Sequence, residues 1–256
     1  MTTVDVVAVT HRGRVRTNNE DTILVGPYLS NALEGEPVRV VLSSPRPQPC
    51  VVADGLGGHA EGGRASLLAA RLLGDAWVAG VDEAAVQRAV QAADAAIHEE
   101  AGWARAWKEM GTTIAGLVFH DGRVLCVNVG DSRCYQYDDG VLVQLSQDDS
   151  PPPPAGASPD WSPTVVTQTL GGGAAPGSVR AHVHNQRVEP GDRFLICSDG
   201  LTDCLTADAI EKVLGATTDP TGAVRALLAE VLRAGAPDNV SIVLATVAQE
   251  EGHHGR

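Results

Sequence analysis

The sequence predicts an α+β protein whose antiparallel β-sheets carry helices on their outer faces, and three observations lead to this fold class. Apolar, β-branched runs of strand length lie on both sides of a pair of Ala-rich helical patterns. Two more helical patterns follow near the end of the chain. Strand runs succeed one another without a helix between them, which is not the βαβ alternation of a parallel sheet.

Eleven segments have the composition of β-strands, and Asp-Gly turns connect two pairs of them. The turn sequences are FHDGR at 119–123 and YDDGV at 137–141, and both predict hairpins. The strand segments are 4–9, 22–26, 38–43, 50–54, 112–119, 123–130, 134–137, 141–146, 180–185, 193–199 and 239–247.

Four segments have apolar residues at helical spacing: 62–80, 82–100, 206–215 and 219–235. The last two offer Thr206 and Asp219 as N-caps and have Gly215 and Gly235 at their expected ends. A proline-rich segment, 148–163, lies between the strand segments 141–146 and 180–185 and contains four consecutive prolines and Trp161. Prolines in that number exclude a helix or a central strand, so this segment is a surface loop or an extended spacer.

The composition is that of a soluble globular protein, with 43% hydrophobic and 20% charged residues among 256. A net charge of -13 argues against nucleic acid and anionic membrane as partners, because both attract clustered positive charge. The N-terminus lacks a signal-peptide pattern, and no apolar run reaches the length of a membrane helix. The five cysteines include no CxxC pair, so we expect buried free thiols in a reducing cytoplasm.

Acidic residues lie directly after or just before several strand runs, at points where glycine or a turn adjoins the strand. One such Asp-Gly is no more than a turn, but the number of them indicates a site for Mg²⁺ or Mn²⁺, which prefer oxygen ligands. Gly55 leaves its carbonyl accessible to an ion, and two ions that share a carboxylate lower the pKa of a water between them. Arg16 can hold a phosphate through its planar guanidinium. The acids are Glu20, Asp21, Asp54, Asp131, Asp199 and Asp238.

The same motifs carry a resemblance to a family. RTNNED, VVADGLGGH, GTTIAGLVF, VNVGDSR, LSQDDS, FLICSDGLTDCL and DNVSIVLATV occur in the order and approximate spacing of the metal-dependent serine/threonine phosphatases of the protein phosphatase 2C (PPM) family. The similarity runs from Arg12 to Val247, and DGLGGH with GDSR resembles the bacterial branch. It implies one domain over 1–248, a four-layer α-β-β-α sandwich of two antiparallel sheets flanked by antiparallel helix pairs, followed by a polar tail at 249–256.

The resemblance also implies an activity: hydrolysis of phosphoserine and phosphothreonine in proteins by a binuclear Mn²⁺ or Mg²⁺ centre that activates water for direct attack, without a phosphoenzyme. Implied partners are phosphoprotein substrates and a bacterial Ser/Thr kinase that this cytoplasmic, monomeric enzyme opposes. In the implied site, Asp54 bridges both ions and the Gly55 carbonyl completes one shell. Asp199 and Asp238 hold the first ion, and Arg16 binds the phosphate.

Further implied residues lie around that core. Asp21 acts at or near the ions, Glu20 supports the waters of the second ion, and Asp131 matches the position that helps to hold a third, weaker ion. Thr113 is expected near the site. In catalysis the resemblance assigns the main parts to Arg16, Asp54 and Asp199.

The chain departs from the family pattern in four places. Asp149 stands where the family usually has His, and Gln168 stands where it usually has Arg. The proline-rich segment replaces a longer helical flap, and the stretch from Gly26 to Pro49 is longer than usual. These departures leave open a second function, that of a catalytically inert module which binds phosphoproteins or a kinase.

Two other enzyme classes fit less well. Gly55, Gly57 and Ala60 satisfy a dinucleotide-binding glycine motif, but Asp75 lies inside a helical pattern rather than at the end of a second strand. The Cys-x5-Arg motif of cysteine-dependent phosphatases is missing, since six residues separate Cys126 from Arg133. Neither a D-x-D-x-T motif nor a P-loop is present.

Overall fold

The computed structural model describes residues 2–57, 60–79, 81–102, 109–152, 154, 165–172 and 176–248. Within these ranges, two six-stranded antiparallel sheets form the centre of the molecule. The first sheet has the strand order β11-β10-β14-β15-β1-β4. Its strands are β1 (Thr3–His11), β4 (Val38–Ser43), β10 (Arg133–Asp138), β11 (Val141–Gln144), β14 (Arg193–Cys197) and β15 (Val240–Val247).

The second sheet has the order β13-β9-β8-β5-β2-β3, and a small third sheet pairs three two-residue strands. The second sheet consists of β2 (Thr22–Val25), β3 (Tyr28–Ser30), β5 (Gln48–Ala53), β8 (Ile114–His120), β9 (Arg123–Val129) and β13 (His182–Arg187). The short strands are β6 (Gly55–Leu56), β7 (Gly111–Thr112) and β12 (Leu170–Gly171).

Helix pairs cover the outer faces of both sheets. Helices α1 (Ala60–Ala79) and α2 (Glu83–Ala101) pack on the second sheet, and α4 (Ala207–Ala216) and α5 (Pro220–Ala234) pack on the first. A four-residue helix, α3 (Asp199–Thr202), follows β14. Three apolar clusters fill the spaces between the four layers, and the central one lies between the sheets. The predicted α+β sandwich is therefore confirmed.

Local signals in the sequence explain most element boundaries. Asp121 and Gly122 have φ of 49° and 69°, which gives the predicted two-residue hairpin between β8 and β9. Thr206 accepts a hydrogen bond from the N–H of Ala209 as the N-cap of α4. Gly235 ends α5 in the left-handed conformation, with φ of 111°.

The expected end of α4 at Gly215 is wrong. This glycine lies inside the helix, which continues to Ala216 and stops where Thr217 becomes extended. A Cβ on Gly215 would lie 2.9 Å from the hydroxyl of Tyr137 in β10. The glycine therefore permits a close approach of the helix to the first sheet rather than a helix end.

The long stretch from Gly26 to Pro49 adds one edge strand to each sheet. Strand β3 pairs with β2 in the second sheet, and β4 pairs with β1 in the first. The sequence predicts β4 but not β3, because three half-buried residues carry too short a pattern. Between these strands, the turn at 31–37 lies beside the loop that follows β1, and the N–H of Gly35 donates to the carbonyl of Thr10 at 3.1 Å.

The pairing of strands places the candidate acids at one end of the sandwich. His11 at the end of β1 is opposite Val240 at the start of β15, and Ala53 at the end of β5 is opposite Thr22 at the start of β2. Asp54 and Asp199 follow β5 and β14 at this end, and Asp21 and Asp238 come just before β2 and β15.

Some features predicted from the sequence lie outside the described residues. These include most of the proline-rich segment with Trp161, and the tail at 249–256. All five cysteines are free and four of them are buried: Cys50, Cys126, Cys134 and Cys197. Within the part of the chain that the structure describes, no helix has the length and apolar character needed to cross a membrane.

Candidate metal centre

A cleft of about 390 Å³ opens at the acidic end of the sandwich. It lies between the loop after β1, the turn after β5 and the segments that lead into α3 and β15. Its walls include six of the residues that the sequence analysis singles out: Arg16, Glu20, Asp54, Gly55, Asp199 and Asp238.

Asp54 and Asp199 form the acidic floor of this cleft. Both residues line the cleft. Burial raises the pKa of Asp54 well above its usual value, and the charges of Asp21 and Asp199 raise it further. Burial, followed by the charges of Asp131 and Asp203, raises the pKa of Asp199 to about 7. The floor therefore concentrates more negative charge than the surrounding protein neutralises.

Asp21 lies behind the floor and is fully buried. Its Oδ2 accepts hydrogen bonds from the hydroxyls of Ser198 at 2.8 Å and Ser241 at 2.7 Å. Its Oδ1 is also buried but has no hydrogen-bond partner among the residues that the structure describes. Burial raises the pKa of Asp21 to about 6 despite the two hydroxyl donors. A buried carboxylate oxygen with no donor needs a cation or water to satisfy it.

The glycines after Asp54 allow backbone segments to approach each other closely. A Cβ on Gly55 would lie 2.3 Å from the carbonyl oxygen of Gly62 and 2.6 Å from that of Glu20. A Cβ on Gly62 would lie 2.7 Å from the Glu20 carboxylate. Any larger residue at these positions would displace the strand end that carries Asp54. The glycine-rich turn thus serves the packing of the acidic site.

Two threonines fix the backbone of Asp54: Thr112, which ends β7, and Thr113, which follows it. The Oγ1 of Thr112 and the N–H of Thr113 both donate to the Asp54 carbonyl, at 2.8 and 2.9 Å. The Thr113 hydroxyl also shares a hydrogen bond of 2.8 Å with that of Ser132. Thr113 therefore lies next to the site, as expected, but its hydroxyl faces the turn that contains Asp131.

Asp131 does not line the cleft but lies close enough to Asp199 to raise its pKa. It follows β9, in the turn that leads to β10. Burial is the main cause of the raised pKa of Asp131 itself, and the charges of Asp148 and Asp203 add to it. The structure thus places Asp131 beside the main acidic group rather than within it.

Asn239 ties the loop after β1 to the acidic cleft. Its amide nitrogen donates to the carbonyls of Arg12 and Asn18, both at 2.9 Å, and its Oδ1 accepts from the N–H of Glu20 at 2.8 Å. No role is predicted from the sequence for Asn239, Ser198 or Ser241. The DN and CSD motifs place these residues beside candidate ligands, but their partners are about 40 to 230 positions away in sequence.

Arg16 occupies the mouth of the cleft. Its guanidinium donates to Oδ2 of Asp238 at 2.6 Å, with 56% of the Arg16 side chain and 37% of the Asp238 side chain exposed. This bond is the main cause of the raised pKa of Arg16, and the charges of Glu20 and Asp54 contribute as well. Because both side chains reach solvent, the guanidinium can exchange this partner for another anion.

The donor set fits hard divalent cations. All candidate ligands are carboxylate or carbonyl oxygens, which Mg²⁺ and Mn²⁺ prefer, and Asp21 has an oxygen in need of a partner. Among the described residues, however, no three acidic, histidine or cysteine side chains already stand as a group that could hold an ion alone. The Gly55 carbonyl and water would therefore have to supply part of the coordination, which is usual for Mg²⁺.

The two substituted family positions, Asp149 and Gln168, meet in one hydrogen-bond network, called the rim below, beside the turn that contains Asp131. Oδ2 of Asp149 accepts from the N–H of Gly130 at 2.9 Å and from the amide of Gln168 at 2.8 Å. Its Oδ1 contacts Nε2 of His182 at 2.8 Å. Gln168 also bonds the carbonyl and N–H of Arg180, both at 2.8 Å. This network fixes the backbone just before Asp131.

The chain is similar in sequence to known protein phosphatases. A family model described as "Protein phosphatase 2C" matches residues 43–234. The serine/threonine protein phosphatase PstP of Mycobacterium tuberculosis is 33% identical over 92% of this chain, which spans only 43% of that relative. The serine/threonine phosphatase stp of Listeria monocytogenes is 28% identical, and the match covers 92% of both chains.

Solved structures share the whole fold. A crystal structure of the Mycobacterium tuberculosis phosphatase PstP/Ppp superposes with a TM-score of 0.76 at 28% identity, covering 96% of this chain and 100% of that one. The catalytic domain of PstP in complex with two manganese ions gives a TM-score of 0.77 at 28% identity, covering 97% and 100%.

Proposed function

Because this chain belongs to the protein phosphatase 2C family, we propose that it hydrolyses phosphoserine and phosphothreonine in proteins with the help of two Mn²⁺ or Mg²⁺ ions. One observation carries the proposal: carboxylates converge on a single cleft, where burial, followed by the charges of neighbouring carboxylates, raises the pKa values of Asp54 and Asp199. Such an arrangement is unfavourable unless cations occupy it. The two manganese ions in the related PstP structure support the same conclusion.

The proposed ligands come from four segments that meet at the cleft. Asp54 would contact both ions, and the Gly55 carbonyl would complete one coordination shell. Asp199 and Asp238 would hold the first ion, while Glu20 would orient water on the second. When bound, the ions lower the pKa of water and neutralise negative charge on the substrate phosphate.

Asp21 and Asp131 have supporting parts in this proposal. Asp21 would act from behind the floor, where its Oδ1 has no other partner among the described residues. Asp131 would help to hold a third, weaker ion, since it lies beside Asp199. Its backbone position depends on the hydrogen bond between Gly130 and Asp149.

Arg16 would bind and orient the substrate phosphate. Its guanidinium already bonds a carboxylate at the mouth of the cleft and is half exposed. A phosphate that enters the cleft would replace Asp238 as its partner, and the planar guanidinium can donate two parallel hydrogen bonds to phosphate oxygens.

The cellular setting follows from the same proposal. A protein phosphatase needs a kinase that produces its substrates, so we infer a Ser/Thr kinase as the functional counterpart. The free, buried cysteines agree with a reducing compartment and hence a cytoplasmic location. We further propose a monomer with one catalytic domain over residues 1–248.

The proposal is tested by hydrolysis of a phosphothreonine peptide with Mn²⁺, with Mg²⁺ and with a chelator, beside the Asp199→Asn variant. Turnover that depends on added metal and collapses in the variant is expected. If the folded protein binds Mn²⁺ but releases no phosphate, the function is instead that of a phosphoprotein-binding module.

A further inference from the structure

A second groove, called the lateral groove below, opens beside the catalytic cleft. It has a volume of about 660 Å³ and lies between the loop at 12–20, the turn at 31–34 and the first turns of α1 at 61–67. Thr17, Asn18 and Glu20 line both the groove and the cleft. A polypeptide whose phosphorylated residue enters the cleft can therefore continue into the groove.

One wall of the lateral groove belongs to the long stretch between Gly26 and Pro49. The Nδ2 of Asn19 donates to the carbonyl of Asn31 at 3.1 Å, which attaches the turn to the residue just before Glu20. On the far side of the turn, Glu36 faces Arg225 of α5 at 3.7 Å. The Asn19 bond, together with the bond from the N–H of Gly35 to the carbonyl of Thr10, holds the turn next to the catalytic loop, whereas the exposed pair of Glu36 and Arg225 adds little.

The charges in the lateral groove favour a basic ligand. Its lining contains three carboxylates and two guanidiniums. Of the guanidiniums, Arg64 is bonded to Glu100, which lies outside the groove lining. Arg12 faces Glu34 at 3.9 Å, and both side chains are more than half exposed, so this pair is weak and easily exchanged. The side chains that line the groove therefore carry a net negative charge.

Two carboxylates stand on opposite walls of the groove. Glu34 projects from the turn, and Glu61 lies in the first turn of α1. On the α1 wall, Leu67 is 39% exposed and offers apolar surface to the groove. A Lys or Arg side chain combines an apolar stem with a charged end, and the groove offers a surface for each.

We propose that the lateral groove binds the substrate polypeptide beside the phosphorylated residue and selects a basic side chain there. The occupant is the phosphoprotein itself, because the groove shares three residues with the catalytic cleft. This inference rests on the proposed phosphatase activity and specifies its substrate class: phosphoserine or phosphothreonine near Arg or Lys. It also gives a role to the long stretch at 26–49, which builds the wall that contains Glu34.

The test compares two phosphothreonine peptides that differ only in their flanks, one with arginines and one with glutamines on both sides. The unmodified protein is expected to show a kcat/KM ratio that favours the arginine peptide about three- to tenfold, as one or two exposed ion pairs provide. In the Glu34→Gln/Glu61→Gln variant, the ratio is expected to approach one. High salt should reduce it in the unmodified protein, because exposed charges are screened.

The matched control is Glu36→Gln/Glu83→Gln. Glu36 lies in the same turn but faces Arg225, and Glu83 occupies the first turn of α2 as Glu61 does in α1. This control removes the same charge and the same favourable helix-end interaction, so it should keep the peptide preference. Equal kcat/KM for both peptides in the unmodified protein would overturn the inference, and so would a preference that survives the Glu34/Glu61 exchange.

A small aryl phosphate separates this inference from the proposed function. If the unmodified protein hydrolyses the aryl phosphate with Mn²⁺ but does not distinguish the peptides, the phosphatase activity stands and the groove assignment fails. If it hydrolyses neither the aryl phosphate nor the peptides, both proposals fail.

Discussion

Asp21 behind the acidic floor is fully buried and Asp149 at the rim is mostly buried, but their surroundings differ. Both oxygens of Asp149 have partners, namely the N–H of Gly130, the amide of Gln168 and the ring of His182. Asp21 has two hydroxyl donors on one oxygen and none among the described residues on the other. A satisfied buried carboxylate stabilises a fold, whereas an unsatisfied one among like charges indicates a ligand.

The largest effect is expected for Asp54→Asn, which removes the carboxylate at the centre of the repulsive group. We expect kcat/KM for a phosphothreonine peptide to fall about a thousandfold, because the residue would contact both ions. Metal-free protein should become more stable to heat, since a repelling charge is lost. A loss of thermal stability together with unchanged activity would remove Asp54 from the site.

The pH dependence of stability provides the next test. The folded-state pKa values of Asp21 and Asp199, about 6 and about 7, lie above the unfolded value near 4. Folded metal-free protein thus binds more protons between about pH 4 and 7, and it loses the corresponding stability as the pH rises through the folded values.

From pH 5 to pH 8 we expect a loss on the order of 4 kcal/mol in the free energy of unfolding of the metal-free protein. Denaturant titrations at both pH values, with chelator or with Mn²⁺, measure it. The ions should abolish most of the loss, because they neutralise the carboxylates. A metal-free protein that is more stable at pH 8 than at pH 5 would contradict the described electrostatics.

A smaller effect is expected for Arg16→Lys. The ammonium keeps the charge but lacks the planar, two-pronged geometry, so kcat/KM should fall about ten- to a hundredfold. The affinity of the protein for Mn²⁺ should change little, because Arg16 is not a ligand. If Mn²⁺ affinity rises strongly in Arg16→Lys, the bond between Arg16 and Asp238 competes with the ion.

The rim should give the smallest effect. Asp149→Asn retains the shape but weakens the contacts to Gly130 and His182, and we expect a loss of about 1–2 kcal/mol in stability. Hydrolysis of a small aryl phosphate should remain within about fivefold of the unmodified protein. Gln168→Ala, which removes one arm of the same network, is the comparison variant. A hundredfold loss of activity in Asp149→Asn would make the rim part of the catalytic machinery.

Local features of the fold could be predicted from the sequence because neighbouring residues determine them. The hairpin at Asp121 and Gly122, the cap at Thr206 and the end at Gly235 each depend on a few adjacent positions. Gly215 misled the prediction, since its role is to admit Tyr137 from a strand far away in sequence. Strand β3 was not predicted, because its three residues are too few to show an alternating pattern.

The site could be predicted in part. Acids that end strands can be recognised from the sequence, and the motif order supplied their arrangement at one end of the sandwich. The partners of those acids could not be predicted, because Asn239 reaches back to Arg12 and Asn18 across more than 200 positions. In the sequence, Asp149 and Gln168 are two separate departures from the family pattern. In the fold, they join His182 in a single hydrogen-bond network.

The central claim is that the carboxylates at the end of the sandwich form a binuclear metal site. Calorimetric titration of the metal-free protein with Mn²⁺ tests it most directly, with the Asp54→Asn variant measured beside the unmodified chain. We expect at least two ions per chain in the unmodified protein and a loss of tight binding in the variant. Folded protein that binds no Mn²⁺, or a variant that binds it as the unmodified chain does, would contradict the claim.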